Sequence, residues 1–202
     1  MNAPAPLRGL AAHVAAGERP EILSRIREPG VAAAIWRRAE DPAFAEWVEA
    51  IPPGRLPRLR TETPPEAAAA ALGAALAAAE TPEGEHAARM VAECAALARR
   101  FAEIMGAKRL RLRLDVVEDD GCRRFHLDNV PARLLMTLRG RGTEYGALPE
   151  AGDPDPVFRL PAFAAAIFRG ARWPGPEATG LVHRSPPIRA GETRLLLVVD
   201  IA

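Results

Sequence analysis

The chain has 202 residues, a formal net charge of +1, 49% apolar residues and 26% charged residues. This is enough for one compact domain with a sizeable core, and the balance excludes global disorder. A near-neutral chain lacks the basic excess of a dedicated nucleic-acid binder, so no nucleic-acid partner is expected.

Lys108 is the only lysine, and about a fifth of the chain is alanine. A GC-rich codon bias explains both. Selection of arginine forks for anionic sites is the alternative. Cys94 and Cys122 are too few for a disulfide framework. The opening residues lack the sustained apolar run of a signal peptide, and no stretch approaches the roughly 18 apolar residues of a membrane span. The expectation is a cytoplasmic protein with no membrane partner. A homodimer is compatible with it.

The first 106 residues read as helical. Val31 to Arg38 suggests a short helix, and Asp41-Pro42 an N-cap with proline at the first helical position before Phe44, Trp47 and Val48. The proline-rich run from Ile51 to Pro65 reads as a linker. Thr63-Pro64-Pro65-Glu66 has the form of a capping box for a helix to about Ala79, and Thr81-Pro82-Glu83 repeats it. Met90, Val91, Cys94, Leu97, Phe101, Ile104 and Met105 recur at steps of three and four, which predicts one apolar helical face ending at Gly106.

After Gly106 the period becomes two. Arg109 to Val116 alternates strictly and predicts a half-buried strand. A second strand spans Leu134 to Arg139. Short strands are expected at 122–127, 157–160, 164–169 and 180–184, and a buried one from Thr193 to Asp200. Many short strands between Gly and Pro turns suggest a sandwich or barrel.

The chemistry concentrates in this second half. His13 and His86 have no acidic or cysteine partner at ligand spacing and read as ordinary helix or surface residues. His126 and Asp128 are two apart, so in an extended segment both side chains reach one side. His183 follows 55 residues after Asp128, and Arg194 eleven residues after that, across a Pro186-Pro187 and Gly191 turn. A hairpin there would return Arg194 to the level of His183. Two imidazoles and one carboxylate on one face of an octahedral ion leave three positions open, the arrangement of a non-haem Fe(II) centre. With Cys122 added, a closed tetrahedral Zn site is the alternative.

The set resembles the Fe(II)/2-oxoglutarate-dependent dioxygenases, which use H-x-D, a distant His and a basic residue about ten places later. That resemblance implies iron held by His126, Asp128 and His183, with Arg194 on a 2-oxoglutarate carboxylate. Asn129, Arg133 and Tyr145 are the further candidates for co-substrate contact, Arg133 otherwise pairing with Glu144. Trp173 is a candidate roof for the site. Arg109, Arg111 and Arg113 read as a solvated strand face, with an anion or RNA surface as the alternative.

The blocks Phe125-His126-Leu127-Asp128, Gly140-Arg141-Gly142-Thr143-Glu144 and Gly180-Leu181-Val182-His183-Arg184-Ser185-Pro186-Pro187 also resemble a bacterial family known by a domain-of-unknown-function label. Its members accompany metal-chaperone GTPases in gene clusters, which implies a link to metal homeostasis.

The expected architecture is α+β: a helical N-terminal portion at 1–106 packed on a double-stranded β-helix, jelly-roll or cupin-like, at 107–202. The expected function is an oxygenase hydroxylating an unspecified substrate with a small-molecule co-substrate. A non-catalytic Zn- or Fe-binding protein is the alternative.

Overall fold

A computed structural model describes residues 9–39, 41–119 and 123–202. In chain order the elements are β1 (Leu10–Ala11), β2 (His13–Gly17), β3 (Val31–Trp36), α1 (Pro42–Ala50), β4 (Leu59–Thr63), α2 (Ala68–Ala78) and α3 (Glu85–Met105). There follow β5 (Leu110–Val117), β6 (Ala132–Arg139), β7 (Glu144–Ala147), β8 (Phe158–Arg159), β9 (Ala165–Arg169), β10 (Ala178–Thr179), β11 (Leu181–Arg184) and β12 (Arg194–Ile201). No helix among the described residues is long and apolar enough to cross a membrane.

Seven strands form the major sheet in the order β2-β3-β9-β6-β12-β5-β4, and three form a minor sheet in the order β11-β7-β8. From β5 onward the chain alternates between them: β5 and β6 in the major sheet, β7 and β8 in the minor, β9 in the major, β11 in the minor, β12 in the major. Between β5 and β6 one residue, His126, bridges to the minor sheet through His183. This alternation is the strand order of a double-stranded β-helix, so the expected jelly-roll is present.

The major sheet is covered on both faces, which explains the unbroken apolar run of β12. Leu195, Leu197 and Val199 join the cluster shared with α3, where Phe101, Cys94 and Met90 are buried. Leu196 and Val198 join Leu135, Phe168 and Leu181 between the sheets.

The N-terminal half departs from the helical expectation: β1 and β2, with His13 on β2, are strands, and three further segments differ. Val31–Trp36 is a strand, because Ala32, Ala33 and Ala34 are buried in a sheet between β2 and β9. Alanine's helix preference is small, and burial between two strands overrides it. The supposed linker contains β4, an edge strand paired with β5. Neither capping box forms: Thr63 Oγ1 donates to Pro64 O, Thr81 Oγ1 donates to Arg55 O, and the helices begin later, at Ala68 and Glu85. The Asp41 cap does form, accepting from the Ala43 and Phe44 amides, and Gly106 ends α3 in the left-handed conformation at φ +64°. Residues 123–127 form no strand beyond the bridge at His126.

The start of β12 is fastened from both sides. The Arg141 fork donates to Glu192 at 3.0 and 2.7 Å, and the Arg189 amide donates to the same carboxylate at 3.0 Å. Arg141, against some burial, holds the Glu192 carboxyl down to about 2. A carboxyl lowered in the folded state stabilises above its unfolded value, about 4.3, and loses that contribution as pH falls through the folded value. Glu192→Gln is therefore expected to cost about 1–2 kcal/mol at neutral pH. In urea unfolding, the gap from wild type should shrink as pH falls from about 4.3 toward 2.

Candidate functional site

His126 and His183 exchange backbone hydrogen bonds, His126 N to His183 O at 3.0 Å and His183 N to His126 O at 3.1 Å. This one rung sets the two rings side by side, with centroids 5.0 Å apart. His126 Nδ1 lies 2.9 Å from Arg124 O. Donation of an Nδ1 proton to that carbonyl leaves Nε2 with its lone pair toward the site.

Asp128 follows on a short loop. Ala171 N donates to Asp128 O at 2.9 Å, Arg172 N to Val130 O at 3.1 Å and Gly170 N to Pro131 O at 2.9 Å. Gly170 is required here because a Cβ would lie 2.0 Å from Val130 O and 2.7 Å from Asp128 O.

Asp128 is buried at 8% exposure, and its Oδ2 lies 3.0 Å from His183 Nε2. That oxygen nonetheless receives no hydrogen bond of acceptable geometry. Oδ1 lies 3.7 Å from His126 Nε2 and accepts from Arg133 Nη1. Burial pushes the Asp128 carboxyl up, but His126, His183 and Arg133 outweigh it and hold it well below the usual carboxylate range. The same carboxylate raises His126 above its ordinary value against partial burial.

One atom from each of His126, Asp128 and His183 lies within 4.8 Å of the others. A buried anionic oxygen without a donor, facing two imidazole nitrogens, fits a divalent cation. The two imidazoles and one carboxylate are the donors of the facial arrangement.

Arg133 is itself held by Asp200, which takes its Nε at 2.7 Å and its Nη2 at 2.8 Å. It therefore pairs with Asp128 and Asp200, and not with Glu144, which is occupied by Arg159 at 2.6 Å and Arg184 at 2.8 Å. The cluster opens into a cavity of about 620 Å³, whose wall includes Arg113, Arg133, Leu135, Thr143, Leu196 and Val198.

Arg194 is fully buried at the start of β12, two residues before Leu196. Its Nε donates to Arg141 O at 2.7 Å, and its Nη2 lies 3.5 Å from Thr137 Oγ1. It does not reach this place by a hairpin, because β11 and β12 belong to different sheets. Asn129 is exposed. Tyr145 stands opposite His183, stacked on Phe158 with Phe168 tilted against it, where burial pushes its hydroxyl up. Trp173 covers Arg169, 4.3 Å from its ring centroid, and packs against the helix-side cluster. Cys122 lies outside the described residues.

Sequence reasoning missed Asp200 and Gly170. Asp200 carried a signal, as a single acid at the end of an apolar strand run. Gly170 carried none, because its neighbours are distant in sequence.

The sequence pattern of the family described as "Protein of unknown function (DUF1826)" matches residues 17–200. No curated protein sequence matches the chain. Among solved structures, a dioxygenase for auxin oxidation from rice is similar at TM-score 0.48 and 17% identity, over 95% of this chain and 82% of that one. A Pseudomonas putida prolyl-4-hydroxylase is similar at 0.44 and 12%, over 89% and 96%. An oxidoreductase of the 2OG-Fe(II) oxygenase family from Burkholderia pseudomallei is similar at 0.42 and 15%, over 89% and 88%.

Two substitutions test the support of the cluster, with Zn(II) or Co(II) affinity as the readout. Asp200→Asn, which leaves the half-buried Arg133 without its anionic anchor, is expected to weaken metal binding about 10–100-fold and also to lower the melting temperature. Gly170→Ala must displace the Asp128 loop, and is expected to weaken binding and also cost about 1–3 kcal/mol of stability.

Proposed function

The chain belongs to this family of unknown function, and we propose that it acts as an Fe(II)- and 2-oxoglutarate-dependent oxygenase on a small molecule. The observation that carries the proposal is the Asp128 oxygen, buried without a donor and facing the His183 imidazole, with His126 completing the set. Its position at the mouth between two sheets supports the reading, because the cavity beside it has room for a co-substrate and a substrate.

In this reading His126, Asp128 and His183 hold the iron. When bound, iron with 2-oxoglutarate supplies O₂ activation and the oxidising equivalent for a substrate C–H bond. The protein's own residues do the rest. Arg133 fixes Asp128 through one oxygen and leaves the other directed at the imidazoles. Leu135, Leu196 and Val198 form an apolar wall that limits water. Arg194, the buried guanidinium on the same face of β12, is the group we assign to the distal carboxylate of 2-oxoglutarate, a task suited to a planar fork. Thr143, on the cavity wall, is a hydroxyl within the same chamber.

The test is anaerobic titration with Fe(II) and 2-oxoglutarate, followed by visible absorption and by metal analysis. A visible charge-transfer band that needs both additions is expected. It should be absent in His183→Ala and shifted to at least about tenfold higher 2-oxoglutarate in Arg194→Ala. Stoichiometric Zn(II) with no effect of 2-oxoglutarate would favour the non-catalytic metal-binding alternative instead.

A further inference from the structure

β4 and β5 run antiparallel, and their register sets Arg60 directly opposite Arg113. Like charges directly opposite in an antiparallel pair destabilise it. Both side chains line the cavity that contains His126 and His183.

The other arginines on that wall are saturated. Arg58 donates to Val116 O at 3.1 Å and Glu118 at 2.9 Å, Arg133 grips Asp128 and Asp200, and Arg184 donates to Glu144 at 2.8 Å. Arg60 and Arg113 donate no hydrogen bond among the described residues. Their ionic contacts are one shared carboxylate, Asp115, at 3.6 Å from Arg60 and 3.3 Å from Arg113, together with Asp200 at 3.6 Å from Arg113. Asp200 has both oxygens on the Arg133 fork already. Two guanidinium groups thus share about one carboxylate without a hydrogen bond to it.

The spacing suits an oxyanion. Opposed residues of an antiparallel pair lie about 5 Å apart, so two planar forks can close on one carboxylate or phosphate from both sides. β4 is the edge of the major sheet, and Arg60 is 76% exposed, so the pair stands at the cavity mouth and is open to an incoming molecule.

We infer that the substrate carries an anionic oxygen group, carboxylate or phosphate, gripped between Arg60 and Arg113, with the carbon to be oxidised extending inward toward the His126–Asp128–His183 cluster. This rests on the oxygenase reading for the word substrate, but the anion site itself does not.

The experiment is isothermal titration of the whole protein with phenyl phosphate and, separately, phenylacetate, on wild type, Arg60→Gln and Arg113→Gln. Melting temperatures serve as the check on folding. At least one probe should bind wild type, and each substitution should weaken it about tenfold, as expected for loss of a charge-assisted hydrogen bond. The probe that binds identifies the anion. Failure of both probes to bind wild type, or equal affinity in the variants, overturns the inference. The Fe(II)/2-oxoglutarate band is recorded in the same proteins and should persist in both variants. A missing band with arginine-dependent anion binding defeats only the oxygenase reading. An intact band with arginine-independent binding defeats only this inference.

Discussion

The site depends on one buried carboxylate. Asp128 sits in a region where an isolated charge is unstable, and it stays ionised because Arg133 grips one oxygen while two imidazoles face the group. Arg133 would bring its own desolvation penalty were it not forked onto Asp200. The chain Asp200–Arg133–Asp128–His183 therefore runs from the end of β12 across the start of β6 to β11. It couples both sheets through charge as well as through packing. None of these groups is readily exchanged alone, since removing one leaves its neighbour buried and uncompensated.

Backbone constraint complements this electrostatic one. His126 and His183 come from distant parts of the chain but are joined by a single rung of the minor sheet. Asp128 is set by a loop that the 170–172 turn fastens with three backbone hydrogen bonds. The donor positions are thus defined mainly by main chain, which has little conformational freedom once paired.

The second half of the fold was legible in the sequence chiefly through β5, where Leu110, Leu112 and Leu114 against Arg111, Arg113 and Asp115 make a period-two pattern with one reading, and through the turns that bound the short apolar runs of the other strands. The first half was not. The residues of β3 are Val-Ala-Ala-Ala-Ile-Trp, with no polar face, and periodicity cannot distinguish a strand buried on both sides from a helix. β4 was hidden by flanking prolines that break helices but are tolerated beside an edge strand. At the site, His126, Asp128 and His183 stood out through spacing and order, and the structure brings them together. Arg60 did not stand out, and Asp200 showed only as one acid ending an apolar run, because what each faces is set by register across strands, a tertiary property.

The major sheet separates two environments with its own thickness. α3 packs on one face, and the metal-type cluster and cavity lie against the other. Each strand donates alternate residues to the two sides, so β12 contributes Leu195, Leu197 and Val199 to a foundation and Leu196, Val198 and Asp200 to a working chamber. A lineage carrying this architecture can revise the two independently. Odd positions of that strand bear on the helix-packed core, whereas Leu196 and Val198 bear on the cavity wall and Asp200 is held by the Arg133 network. On the proposed oxygenase reading, the β4, β5 and β12 positions that face the mouth are where one scaffold can diverge in the molecules it handles.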